Sequence, residues 1–209
     1  LDPRTARNSV TVAAGTSYTL PPGAYRDLSA GSSGGARATL ILTAGDYYFD
    51  RDIDLANVDL QIDPSTTAPV VLYVKGDLDV TAQSRLNVDT AGVNGKPANL
   101  QVYFVGSDTT FKVDQASSAS LVASGAQTHG VLDTGEIFGA IMAQDITMRG
   151  ANSKIHYDQS LAGLKLNGNG KWALVAIKER SGKSKGKGGG NSGGSNGGGN
   201  SGGSNSGGS

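Results

Sequence analysis

An all-β fold, a right-handed parallel β-helix with a glycine-rich C-terminal tail, is what three features of this 209-residue chain predict. Runs of β-branched and aromatic residues of strand length recur along it, separated by Gly, Asp, Asn, Ser and Pro clusters. Many segments alternate apolar and polar residues, which turns one side chain inward and the next outward. The whole pattern then repeats at roughly 20 to 30 residues, the range of solenoids.

The strand runs are residues 39–42, 47–49, 58–62, 70–74, 100–105 and 137–141. Strict alternation marks residues 53–55, 78–80, 86–88 and 146–148. One repeat comprises residues 46–49, 53–55 and 58–62, and the next 70–74, 78–80 and 86–88. A third comprises 100–105, 111–113 and 121–122, and a fourth 137–142, 146–148 and 155–157. Three short strands per repeat suit a triangular coil. A single coil cannot bury its inward residues, but stacked coils share one core. In this register Leu72, Val102 and Ile141 stack in neighbouring coils. An antiparallel sandwich, with hairpins at Gly76-Asp77 and Gly106-Ser107, is the competing topology. Residues 158–166 are the one stretch suited to a helical turn. The organisation is an N-terminal extension (1–16), a β-helix domain (17–180) and a basic, then Gly/Ser/Asn-rich, tail (181–209).

Composition excludes several function classes. Net charge is zero, and the basic residues beyond Ile177 leave the body mildly acidic. Nucleic-acid binding needs a concentrated basic face, so no nucleic acid is expected as a partner. Cysteine is absent, which removes disulfides and thiolate metal sites. No apolar run reaches the length of a membrane span, and Leu1 is read as an interior or processed start.

Residues 19–180 resemble a β-helical domain of unassigned function, found in bacterial type IV pilus accessory proteins and related envelope proteins. The motifs that carry the resemblance run in order along the chain. They are the opening turn of residues 20–25, its repeat within residues 40–49, the central coil of residues 71–78, and a signature at residues 138–147 followed by 154–158. Residues 172–175 are similar to the closing strand. The resemblance implies a β-helix, an exported setting and no known catalysis. The chain departs from it in lacking a hydrophobic pilin helix and in carrying the long tail.

No catalytic, cofactor-binding or metal-ligating residue is assigned. Asp46, Asp50, Asp52, Asp54, Asp59, Asp63, Asp77, Asp79 and Asp89 fall at turn corners or in alternating strands. Calcium wants six to eight oxygens, but no EF-hand or glycine-aspartate calcium repeat is present. These residues are read as turn formers and solvated outward positions. His156 beside Tyr157-Asp158 invites a catalytic reading. Without a nucleophile elbow, and with His129 as the one other histidine, a structural strand-end role is expected instead. Gly182-Lys183-Ser184 lacks the upstream glycine of a phosphate loop.

The expected function is therefore a non-enzymatic, extracellular or cell-surface structural subunit of a bacterial fibre, sheath or matrix. It would form a homo-oligomer or filament through its coil ends and its tail. The tail repeats a nonapeptide, and nine residues fit a three-per-turn glycine helix whose amides must find partners outside their own segment. One alternative is a pilus-associated adhesin binding glycans or surfaces, favoured if Tyr47, Tyr73 and Tyr103 form an outer aromatic ladder; inward packing would explain them equally. A β-helical polysaccharide-processing enzyme is the other, favoured by a clustered acidic groove.

Overall fold

The computed structural model describes residues 8–159 and Leu161. Eighteen strands, numbered β1 to β18 in chain order, wind through about seven coils among the described residues. The first ladder stacks β1 (Val10–Val12), β4 (Leu28–Gly31), β7 (Ile53–Ala56), β10 (Leu78–Thr81), β13 (Thr109–Asp114), β15 (Thr128–Asp133) and β17 (Asp145–Arg149). A second begins β2 (Ser17–Leu20), β5 (Ala38–Leu42), β8 (Val58–Ile62) and β11 (Arg85–Val88). A third begins β3 (Gly23–Tyr25), β6 (Gly45–Phe49), β9 (Val70–Val74) and β12 (Leu100–Phe104).

The second and third ladders meet on one strand, β14 (Ser118–Ser124). Its first residues pair with β11 and its last with β12. The seven-residue strand β16 (Glu136–Met142) follows β14 along its whole length, and β18 (Lys154–Tyr157) follows the first half of β16. Three-sided coils thus give way to two-sided ones.

Every ladder is parallel, and strands β9 and β10 stack on other coils rather than on each other. That rules out the sandwich and its hairpins. Leu72 and Val102 are register partners, as expected, but Ile141 is not the next rung. Ala123 stands between Val102 and Ile141. Between residues 46 and 157 the first ladder has five rungs where the sequence shows four repeats; the extra one is β15, whose His129-Gly130 centre carries little strand signal, and further coils precede residue 46. The 3-10 turn Pro97–Asn99 was also unforeseen. Val10–Val12, within the stretch read as an N-terminal extension, already pairs with β4. Of the expected helical stretch 158–166, Leu161 donates its N–H to the Asp158 carbonyl, and most of the rest lies outside the described residues. So do residues 172–175 and the tail.

Each corner between the first and second ladders holds a residue in the left-handed region: Gly15, Gly31, Asn57, Ala82-Gln83, Gln115-Ala116, Thr134 and Gly150 in successive coils. A left-handed residue turns the chain sharply without lengthening the coil. Non-glycine residues there cost roughly 1–2 kcal/mol each, which the stacked ladders must offset. The core is one continuous column of inward residues, from Val12 and Leu20 through Leu60 and Phe111 to Ile137. Tyr47 belongs to it, with its hydroxyl accepting from the Thr43 N–H and able to donate to Leu20 or Thr43 carbonyls at 2.9 Å.

Candidate functional site

Outward side chains sit in columns, one rung per coil, because the ladders are in register. The aspartates show what such columns do. Asp52 accepts a hydrogen bond from the Asp77 N–H (2.9 Å), and Asp77 accepts one from the Thr110 N–H (2.6 Å). Each corner carboxylate thereby fastens the next coil. Asp63 and Asp89 close local turns on Ser65 and on Ala91 and Val93. The Ser65 bonds hold the Asp63 carboxyl below its ordinary range.

Asp54 and Asp79 are register partners on the outer face of the first ladder. Burial pushes both carboxyls up, and neighbouring aspartates add to it; Lys112 opposes the shift at Asp79. Among the described residues no group of three His, Asp or Glu side chains is arranged to hold a metal ion.

Asp59 departs from the expectation of a solvated position. It is 8% exposed and lies between two arginines from other coils. Arg37 Nη1 donates to it at 2.9 Å, and Arg85 donates through Nε at 2.8 Å and Nη2 at 2.6 Å. The hydrogen bonds to Asp59 raise the Arg85 pKa. An acidic residue that sequence alone assigns to solvent is in fact the centre of a three-coil clamp.

Tyrosines form an outer ladder, but not the set expected. Tyr47 faces inward and is fully buried. Tyr48, Tyr73 and Tyr103 are the register partners. Their rings stack with centroids 4.7 Å and 5.5 Å apart. Both faces of Tyr73 are therefore covered by neighbouring rings.

The two histidines lie on different ladders, and both rings approach carboxylates. His129 Nδ1 is 2.7 Å from Asp145, and Nε2 is 3.3 Å from Asp108. The Asp145 hydrogen bond raises the His129 pKa. His156 stacks on Phe138 at 4.5 Å, with Nε2 3.8 Å from Glu136.

The ends of the stack differ from its middle. Ile146, Met148 and Ile155 occupy inward columns, yet are 41%, 49% and 36% exposed. They belong to β17 and β18, the last described strands of their ladders. At the opposite end Tyr18, also an inward position, is exposed.

Residues 59–164, half of the chain, match a family described as a domain of unknown function (DUF7305). No curated protein and no solved structure matches the chain.

Proposed function

The chain belongs to the family of the domain of unknown function DUF7305, and from that premise we propose that it is a non-catalytic structural subunit of an extracellular fibre, sheath or matrix. The observation that carries this reading is what the two ends of the described stack present. Among the described residues no strand pairs beyond β17, β18 or the second half of β16, and the apolar side chains of Ile146, Met148 and Ile155 stand partly exposed beside those edges. Among the described residues β1, β2 and β3 of the first coil likewise each keep one unpaired edge. Unpaired parallel edges are templates for further strands. Joining one end to the other is a heterologous contact that does not close, and it builds a filament. The outer columns support a structural role too, since their charges and rings bond from coil to coil. The exported setting draws on the likeness to pilus-associated domains.

The adhesin reading drew on an outer tyrosine ladder, and Tyr48, Tyr73 and Tyr103 turn their faces on one another, so that ladder lends it no support. That leaves assembly as the better-supported reading. It is tested by negative-stain microscopy and light scattering of the whole chain at rising concentration. End-to-end rods are expected. Truncation after Gly186 is expected to keep the β circular dichroism while weakening the rods. Monomers at every concentration would overturn the proposal.

A further inference from the structure

Between β11 and β12 the chain leaves the coil for residues 89–99, the longest excursion between strands among the described residues. Two buried polar side chains pin it down. Asn87, in the left-handed region at φ +58°, donates through Nδ2 to the Lys96 and Ser120 carbonyls, both at 2.8 Å. Ser120, fully buried, donates to the Gly95 carbonyl at 2.6 Å. Pro97 is buried over Gly139, where a Cβ would collide with it. This excursion is thus a fixed wall.

The wall faces the outward column Ser120, Phe138 and His156, and between them lies an open groove of about 370 Å³. Asn94, Asp158 and Gln159 stand around it. The volume falls in the range of small-ligand sites, ~300–1,000 Å³. Phe138 and His156 are parallel to within 6°, so the second face of His156 points away from Phe138. Among the described residues no further ring covers that face. The groove is lined by no lysine or arginine. Nearby Glu136 is paired with Lys154 at 3.0 Å. Nothing in this arrangement attracts an anion, and an aromatic face among side-chain amides and the Asp158 carboxylate suits a ligand with an apolar face and a hydroxyl rim.

We infer that this groove binds a neutral oligosaccharide, one sugar ring lying on the free face of His156 and its hydroxyls meeting Asn94 and Gln159. The groove lies wholly within the stretch matched to the family, and its aromatic floor is the signature that stood out in the sequence. The inference does not rest on assembly, because a monomer would bind equally well.

The test is amide NMR of the whole chain titrated separately with cellohexaose, chitohexaose, hexalysine and inorganic phosphate, to about 10 mM, the range that detects weak carbohydrate affinities. Shifts at Ser120, Phe138 and His156 are expected with at least one of the two. His156→Ala should weaken binding by about tenfold or more. His156→Phe, which keeps a ring, should restore most of it, and circular dichroism should match the parent for both. Three results would overturn the inference: no shifts with either sugar, equal binding by the alanine variant, or preferential binding of hexalysine or inorganic phosphate.

Discussion

The first coils and the last ones solve the same problem with different cross-sections. Through β12 the solenoid has three sides. Partner residues in neighbouring coils there are 20 apart at Ala38 and Val58, 25 at Asp52 and Asp77, and 33 at Asp77 and Thr110, where the long excursion intervenes; the first pair, Val10 and Leu28, is 18 apart. From β13 onward it has two sides, and the spacing falls to 19 and then 16. The inward columns record the change. Leu40, Leu60 and Leu86 are followed by Ala119. Leu72 and Val102 are followed by Ala123. Two sheets packed face to face leave a gap of only ~10 Å. A three-sided coil has a wider centre, which needs leucines and aromatics. Coil shape is thus written in the size of the inward residues as much as in the turns.

Glycine placement offers the sharpest way to break the two-sided half. Gly139 has φ +132°, and a Cβ there would overlap the Leu121 carbonyl oxygen in the coil below. Gly139→Ala combines backbone strain with a clash against main chain. It should cost more than about 3 kcal/mol. Urea denaturation measures the loss. Hydrogen exchange should show β14, β16 and β18 losing protection while β5 to β9 keep theirs.

One outward column compares the halves by charge. In the first half Asp59 is gripped by Arg37 and Arg85. In the second, Glu136 meets Lys154 in the open, with side chains 33% and 55% exposed. Asp59→Ala leaves two arginines facing each other and should cost about 2 kcal/mol, less than a fully buried pair because both guanidinia reach solvent. Glu136→Gln should cost under about 0.5 kcal/mol. Equal losses in denaturant titrations would show that the columns do not differ.

Tyr47 tests the wide core of the first half. Tyr47→Phe keeps the ring but leaves the Thr43 N–H without the phenol oxygen, for an expected loss of about 1–2 kcal/mol. The same residue shows where the sequence stopped being legible. Strand runs, alternation and period revealed the parallel stack, the core faces and most rungs of the first half. Tyr47-Tyr48-Phe49 holds three aromatics in a row, so composition could not say which faces out. A one-residue slip exchanges the faces of a strand, and only pairing with Leu72-Tyr73-Val74 settles it. In the second half the signal itself weakens. Strands β14 and β16 run through the corner where earlier coils carry a turn, so no Gly-Asp cluster marks the merger. The groove was legible only as a signature. Its wall comes from residues 89–99, which look like any polar loop until Asn87 and Ser120 are seen to hold them.

The smallest expected effects separate the halves by pH. Asp54 and Asp79 in the first half have carboxyls raised above 3.8, chiefly by burial. The folded state then holds protons more tightly than the unfolded chain, so stability falls as pH climbs from the ordinary carboxylate value through the folded one. His129 in the second half is raised above 6.5 by its hydrogen bond to Asp145. The stabilisation it gains is complete below 6.5 and disappears as pH rises through its folded value. Both groups lower stability with rising pH, but in separate windows, the carboxylate one on the acid side. Asp79→Asn should flatten the acid window alone, raising Tm by about 1–3 °C near pH 7 and leaving it unchanged near pH 3. His129→Gln should flatten the upper window alone. Thermal melts of the parent and the two variants across this range measure both slopes. If Asp79→Asn lowered Tm near neutrality, attraction to Lys112 would outweigh burial and repulsion, and the acidic pair would belong with the stabilising columns.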